Sequence, residues 1–333
     1  MIFDVIIPVY KPDEKLDLLI KALLGQVVRP RSILCILTRV AASSNLRAGE
    51  SAVSEEVNPD EELARRLREK DERVKVHFVD QKDYDHAGTR NLGIRLTGTD
   101  AELFLLMTQD AVPAGNHLTE ALISSFEDES VAAAYARQLS DKFTPIPEKC
   151  ARRFNYPAES EIKTIGDLSR LGIKTFFCSN VCAMYRRDVF EKLGGFEAPA
   201  IFNEDMVYAS AALRNGYKIC YNAEAQVIHW HTYNLSQQFR RSFDNGASEA
   251  IREDVFHGVA PAKEGKRYVK ETVRTLRRVR QSGRIPYFIL QCGFRYIGFG
   301  FGKHYGLFPK SIRKSFSLNR SFWDKWSGDK KRR

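Results

Sequence analysis

The stretch Ala101-Glu102-Leu103-Phe104-Leu105-Leu106-Met107-Thr108-Gln109-Asp110-Ala111 decides the fold. Its first seven residues form an almost continuous apolar run, which is typical of a strand buried on both faces of a parallel sheet. The run stops abruptly at polar residues, so Asp110 follows the carboxyl end of the strand. Open α/β sheets bind their ligands at that edge. The stretch therefore predicts a doubly wound α/β sheet with Asp110 as a candidate ligand-binding residue.

Apolar runs and helical patterns alternate on both sides of this stretch. Residues 3–10 form a β-rich run that ends at Lys11 and Pro12, and further strands are predicted at 32–38 and 74–79 with helices between them. Residues 141–176 are polar and proline-containing, which predicts an irregular region. The strand pattern resumes at 176–185 and continues toward His229 and His231. This order indicates βαβ units in one α/β domain.

Charge divides the chain of 333 residues into two parts. Residues 1–260 contain 32 Lys/Arg and 38 Asp/Glu, whereas residues 261–333 contain 20 and 4, so the formal net charge of +10 originates in the second part. That part is also rich in aromatic residues. Cations beside aromatics are typical of a segment at an anionic membrane surface. We therefore predict a catalytic domain at 1–260 and a basic, amphipathic, membrane-associating region at 261–333, with no nucleic-acid binding.

The sequence also predicts a cellular location. No basic segment followed by a long apolar one is visible after Met1, and residues 285–301 contain Arg295 and several glycines, unlike a spanning helix. The six cysteines are scattered, which favours reduced thiols. We expect a cytoplasmic protein that is peripheral on the inner face of the cell membrane.

Asp110, His229 and His231 are candidate ligands for a divalent cation, Mg²⁺ or Mn²⁺. On a strand, residues two apart point to the same side, so both imidazoles could reach one site with Asp110. Such a cation neutralises the charge that develops on a departing diphosphate. The alternative is that the histidines are ordinary polar residues of a half-buried strand.

Glu204 and Asp205 form a second candidate site at the predicted start of a helix. A sugar hydroxyl is a poor nucleophile until a base removes its proton, and one of these carboxylates could be that base. The alternative is that both residues only stabilise the first turn of the helix.

Several motifs in a fixed order carry a family resemblance over almost the whole chain. The chain resembles the inverting family-2 glycosyltransferases, which have the GT-A nucleotide-sugar-binding fold, a mixed and mainly parallel sheet flanked by helices. More narrowly, it is similar to bacterial rhamnosyltransferases that use dTDP-L-rhamnose. The motifs are 5–10, Tyr84-Asp85-His86-Ala87-Gly88-Thr89-Arg90-Asn91, 108–111, Gly194-Gly195-Phe196 and Asn203-Glu204-Asp205, together with tail segments 298–303 and 321–323.

The resemblance implies roles for individual residues. Donor binding falls to Pro8, Val9 and Tyr10 at the nucleoside, Asp85 at the base or ribose, Arg90 near the diphosphate, and Gln109. Asp205 would be the general base beside Glu204, and Asp110 would hold the cation with His231 or His229. For Arg90 the alternative is a surface ion pair.

Two departures from the family pattern affect these expectations. Thr108 stands where many members have a first acidic residue, and the polar stretch 38–44 replaces an Asp-rich turn. With one carboxylate, the cation would bind weakly until the nucleotide supplies oxygens.

The resemblance implies transfer of L-rhamnose from a dTDP-sugar donor, dTDP-L-rhamnose, to a hydroxyl of a lipid-linked saccharide acceptor in bacterial cell-surface polysaccharide biosynthesis. One alternative is a glycosyltransferase with a UDP-sugar donor. Another is a non-catalytic nucleotide-sugar or glycan-binding subunit of a membrane assembly, which the presence of both Asp110 and Asp205 disfavours.

Overall fold

The fold is built on one mixed sheet. The structure, a computed structural model, describes residues 1–39, 58–259 and 265–328. Most of the polar stretch 38–44 and the predicted domain boundary at 260 lie outside the described residues. The strands are β1 Phe3–Val9, β2 Ser32–Arg39, β3 Val74–Asp80, β4 Leu103–Met107, β5 Val112–Pro113, β6 Val131–Leu139, β7 Glu161–Lys163, β8 Cys182–Arg186 and β9 Lys218–Ile228.

The strand order is β3-β2-β1-β4-β8-β6-β9-β5, and β7 also pairs with β9. Pairing is parallel from β3 through β4 and between β6 and β9, and antiparallel at the other junctions. The predicted mixed α/β sheet is therefore confirmed. Because β1 and β4 are parallel neighbours, their carboxyl ends lie side by side at one edge.

Helices cover both faces of the sheet. In β1, Val5 and Ile7 belong to one apolar core and Ile6 to the other, since successive side chains of a strand point to opposite faces. The helices are α1 Lys15–Leu24, α2 Pro59–Arg68, α3 His86–Leu96, α4 Leu118–Ser124, α5 Ile146–Asn155, α6 Leu168–Leu171, α7 Arg187–Lys192, α8 Glu204–Arg214, α9 Leu235–Ile251, α10 Glu253–Phe256, α11 Gly265–Arg278, α12 Ile285–Lys303, α13 Lys310–Phe316 and α14 Phe322–Lys325.

Three local predictions were wrong. The strand predicted at 176–185 is only Cys182–Arg186, because backbone groups just before it bond to side chains: Phe177 O accepts from Lys163 Nζ, and Asn180 N donates to Asp205. The region 141–176, predicted to be irregular, contains α5, β7 and α6. His229 and His231 lie just beyond β9 rather than on it, although His229 N still donates to Leu139 O at 3.1 Å.

The C-terminal helices pack onto α9. Glycines make this possible, because a Cβ on Gly298 or Gly302 of α12 would overlap the backbone of α9, and one on Gly246 of α9 would overlap Phe299 O. Phe243 and Ala247 of α9 share a third apolar core with aromatic residues of the last helices. Within the described ranges, no helix has both the length and the apolar character needed to cross a membrane.

We predict that Gly302→Ala destabilises the protein by several kcal/mol, because the new methyl group has no room against Phe243 O and Ala247 N. Gly300→Ala is the matched control on the same helix, since a Cβ there meets nothing within 4 Å. It should leave the free energy of unfolding unchanged or raise it by about 0.5–1 kcal/mol. Urea unfolding of both variants measures the difference, and equal midpoints would contradict the close packing of α9 and α12.

Candidate active site

Two residues join the carboxyl ends of β1 and β4. The side chain of Gln109 accepts a hydrogen bond from Tyr10 N at 2.7 Å and donates one to Tyr10 O at 3.0 Å. This reciprocal pair fixes the backbone that follows Pro8 and Val9, and it leaves the Tyr10 ring exposed. The Gln109 amide therefore positions Tyr10 at the edge where a ligand would bind.

Asp110, His229 and His231 converge beside this edge. The Oδ2 atom of Asp110 lies 3.6 Å from His229 Nε2 and 3.3 Å from His231 Nε2, and all three ligand atoms lie within 4.8 Å of one another. Ligand atoms that share one first-row divalent ion at about 2.1 Å are about 3 to 3.5 Å apart. The two separations between Asp110 and the imidazoles are thus close to those of a cation site.

Gln138 of β6 determines which nitrogen of His229 is available. Its Oε1 lies 2.9 Å from His229 Nδ1, while its Nε2 donates to Tyr156 OH and to Ser179 Oγ. Arg152 also donates to this Oε1. Since an amide oxygen can only accept, His229 Nδ1 carries the proton and the Nε2 lone pair points at Asp110. Metal-binding histidines are usually oriented in this way.

The charge states of this cluster also suit a cation. Burial lowers the pKa of His229, and burial together with the neighbouring His229 lowers the pKa of His231 to about 4. Burial opposes ionisation of Asp110, but in the acid range the two imidazoles are protonated, and their charge and the hydrogen bond from His229 hold the pKa of Asp110 below the usual range. At neutral pH the cluster therefore presents one carboxylate and two neutral imidazoles.

The second candidate site lies at the first turn of α8. Asn203 adopts a left-handed conformation with φ of 62°, which asparagine tolerates better than most residues, and the helix begins at the next residue. The Oδ2 atom of Asp205 accepts from Asn180 N at 3.0 Å, and Oδ1 accepts from Met206 N at 2.8 Å. Asp205 is partly exposed, whereas Glu204 is buried.

Arg90 of α3 forms a buried ion pair with Glu204. Its Nη1 lies 3.1 Å from Glu204 Oε1 and also donates to His86 O. Glu204 Oε1 accepts a second bond from Asn180 Nδ2. Burial and the negative charge of Glu204 raise the pKa of Asp205 to about 7. Of the two carboxylates, Glu204 is held ionised by Arg90, and Asp205 has the proton affinity of a base that works near neutral pH.

One hydrogen-bond network connects the two sites. Asn180 holds Asp205 and Glu204, and the preceding residue, Ser179, accepts from Gln138 Nε2 at 3.0 Å. Gln138 in turn orients His229. The proposed base and the cluster around Asp110 are thus fixed relative to each other.

The structure also locates the other predicted donor residues. Asp85 caps α3, because Oδ1 accepts from Gly88 N at 2.6 Å and Oδ2 accepts from Ala200 N at 3.0 Å. Arg90 forms an ion pair, as in the alternative considered for it, but the pair is buried rather than on the surface. Binding of donor by Pro8, Val9, Tyr10, Asp85, Arg90 and Gln109 stays a prediction.

Sequence reasoning missed Gln138, Asn180 and Arg241. The guanidinium carbon of Arg241, on α9, lies 4.8 Å from the centroid of the Phe202 ring and 5.5 Å from that of the Tyr233 ring, and its charge lowers the pKa of His231. In the described part of the chain it has no ion-pair partner. The only signal was an amphipathic pattern after His231, which gives no role to one arginine.

Comparisons with known proteins identify the class of this protein as a glycosyltransferase. The model of the family described as Glycosyl transferase family 2 matches residues 57–194. The chain is 37% identical over 260 residues to O-antigen chain rhamnosyltransferase RfbN of Salmonella typhimurium, covering 75% of this chain and 80% of that one. It is 37% identical over 250 residues to WbaN of Salmonella anatum, an O-antigen chain rhamnosyltransferase, covering 75% and 79%.

A solved structure shares the fold. Mannosyltransferase PcManGT from Pyrobaculum calidifontis, in complex with GDP-Man and Mn²⁺, superimposes with a TM-score of 0.54 at 13% identity over 97% of this chain and 88% of that one. The chain belongs to glycosyl transferase family 2 and is a glycosyltransferase. The predictions of this family and of the GT-A fold are confirmed.

We predict that Gln138→Ala weakens Mn²⁺ binding about 10- to 100-fold, because His229 loses the partner that fixes its tautomer and ring orientation. Titration calorimetry in the presence of dTDP measures the affinity. Gln226→Ala on β9 is the control, since the side chain of Gln226 donates to the nearby Ala223 O and lies outside the Gln138 network, and this variant should bind Mn²⁺ like the wild type. Equal affinity of the Gln138 variant would contradict the positioning role.

We also predict that Glu204→Gln destabilises the fold by about 3–5 kcal/mol, because Arg90 keeps a buried charge without a carboxylate. Glu224→Gln changes an exposed carboxylate on β9 and should leave stability unchanged. Chemical unfolding at pH 7.5 compares them, and a loss below about 1 kcal/mol in Glu204→Gln would show that the ion pair is not a structural constraint.

Proposed function

We propose that this glycosyltransferase transfers L-rhamnose from dTDP-L-rhamnose, with inversion, to a hydroxyl of a lipid-linked glycan during synthesis of a bacterial cell-surface polysaccharide. The observation that carries the transfer chemistry is the connection of Asp205 to the cluster of Asp110, His229 and His231 through Asn180, Ser179 and Gln138. The choice of sugar is supported by the names of the two Salmonella relatives, which match most of their length.

Asp205 acts as the general base. A carboxylate oxygen of Asp205 takes the proton of the acceptor hydroxyl while the hydroxyl oxygen forms a bond to the anomeric carbon. The bond from this carbon to the diphosphate oxygen breaks, and its electron pair leaves with dTDP. Attack from the face opposite the leaving group inverts the configuration. The raised pKa of Asp205 makes its carboxylate basic enough to accept this proton near neutral pH.

Positive charge balances the departing diphosphate. Asp110, His229 and His231 would hold Mg²⁺ or Mn²⁺, which supplies electrostatic stabilisation of the leaving group when bound. Arg241 lies near His231 and adds a permanent cation, whose planar fork of donors suits phosphate oxygens. Manganese in the PcManGT complex supports a divalent cation as cofactor.

A lipid-linked acceptor requires the enzyme to act at a membrane surface. We propose that the protein is cytoplasmic and peripheral on the inner face of the cell membrane, where a lipid-linked saccharide acceptor is available. The region after residue 260 supports contact with an anionic membrane surface rather than with nucleic acid, since its cations stand beside many aromatic residues, as in segments that lie at a membrane surface.

The test is release of nucleoside diphosphate across a donor panel of dTDP-L-rhamnose, UDP-glucose, UDP-galactose and UDP-N-acetylglucosamine, with Mg²⁺, Mn²⁺ or EDTA. We expect dTDP-L-rhamnose to be used and EDTA to suppress turnover. Asp205→Asn should lower kcat by at least about 100-fold with little change in KM for the donor, because it removes the base but keeps the shape. In the wild type, kcat/KM should fall as the pH drops through about 7, as Asp205 becomes protonated.

Asp188→Asn is a matched control. Asp188 lies in the first turn of α7 and accepts from the backbone N–H of the next residue at 2.8 Å, as Asp205 does in α8, but it is exposed. It should retain wild-type turnover. Preference for a UDP-sugar would overturn the donor assignment, and full activity of Asp205→Asn would overturn the role of the base.

A further inference from the structure

One face of α12 is apolar and uncovered. Tyr296 is 83% exposed, Ile297 is 49% exposed and Ile289 is 46% exposed, and Leu290 and Phe301 share this exposed face. Counted from Ile289, the other four residues follow after one, seven, eight and twelve positions. This spacing places all five in a stripe on one side of a helix with 3.6 residues per turn. The opposite face packs on α9 through Phe288, Gly298 and Gly302. The stripe extends for most of a helix about 28 Å long.

Positive charge flanks this stripe at both ends, and α12 itself contains no acidic residue. Exposed cations precede it at Arg277, Arg278, Arg280 and Arg284. After it come Lys303, which pairs with Glu249, and Lys310, which pairs with Asp324, followed by Arg320. Arg295, the one charged residue within the helix before Lys303, lies away from the stripe and is only partly exposed.

The apolar stripe and its flanking cations together indicate what kind of partner would bind α12. A second copy of the chain would bring together two C-terminal regions that each carry 20 basic and 4 acidic residues, and like charges would oppose that contact. An anionic bilayer offers apolar surface for the stripe and negative head groups for both flanks. An apolar helix face with cations at its two ends fits a helix that lies in the plane of the membrane surface.

The uncovered face is close to the candidate active site. The inner side of α12 packs on α9, which carries Arg241. Gln291 Nε2 of α12 donates to Tyr233 O at 3.5 Å, and the Tyr233 ring lies 5.3 Å from the His231 ring. A bilayer in contact with the outer face of α12 would therefore be separated from the cation cluster by α12 itself and by Tyr233.

We propose that the outer face of α12, formed by Ile289, Leu290, Tyr296, Ile297 and Phe301, docks the protein in the plane of an anionic bilayer. Docking through this face brings the active site to an acceptor sugar carried by a membrane lipid. The docking is argued from the exposed residues of α12 alone, whereas the delivery of the acceptor rests on the proposed function.

The test measures binding of the full-length protein to vesicles of phosphatidylglycerol and phosphatidylethanolamine by flotation. We expect the double variant Ile289→Glu and Ile297→Glu to bind at least tenfold more weakly than the wild type, with an unchanged melting temperature. Leu18→Glu is the control, because Leu18 is 53% exposed on α1, and it should bind vesicles normally. Wild-type binding to pure phosphatidylcholine vesicles should be at least tenfold weaker than to the anionic ones.

Three outcomes would overturn the docking proposal. These are normal vesicle binding by the double variant, equal wild-type binding to phosphatidylcholine, or a wild-type dimer in solution that the double variant abolishes without any vesicle binding. Donor turnover is measured separately with a soluble acceptor and should be the same in the double variant and the wild type. Loss of vesicle binding by the double variant with retained turnover supports membrane docking through α12. Absence of turnover in the wild type counts against the proposed function alone.

Discussion

The buried contact between Arg90 and Glu204 is the constraint on which the candidate active site depends. Each of these charges would cost several kcal/mol to bury alone, so the two residues must stay together in the folded protein. Their contact joins α3 to the first turn of α8. It also keeps a negative charge next to Asp205, and this charge is one of the two causes of its raised pKa. The same interaction therefore fixes the position of the proposed base and adjusts its basicity.

Asn180 extends this constraint into the rest of the site. Its side chain binds Glu204 and accepts from Tyr185 OH, while its backbone N–H binds Asp205. A residue within a strand could not do this, because its N–H would be used by the neighbouring strand. The start of β8 at Cys182, later than predicted, therefore has a structural consequence. It frees backbone groups at 177–180 to bond with side chains at the site.

Sequence could predict the convergence of Asp110 with His229 and His231, because Asp110 follows the end of β4 and the histidines follow β9 of the same sheet. A two-residue spacing on a strand does not account for it, since both histidines lie just beyond β9. Sequence could not predict Gln138, since Gln138 and His229 are 91 positions apart and the pairing of β6 with β9 that brings them together contains register shifts. Arg90 illustrates a different limit. A phosphate and a carboxylate attract the same guanidinium, so the residue type alone does not distinguish a bound diphosphate from the partner that the fold supplies, Glu204.

The C-terminal region shows how one segment serves both the core and the surface. Glycines let α12 approach the backbone of α9, and Lys325 beyond it donates to Tyr84 O, just before the residues that start α3. Charge and aromatic content predicted a membrane-associating region, and Phe243, Tyr305 and Trp323 share one core across α9 and this region. Deleting the region would therefore expose apolar surface on α9 as well as remove any membrane contact. Because the inner face of α12 packs on α9, substitutions on the outer face are the ones that test the proposed membrane contact without disturbing this packing.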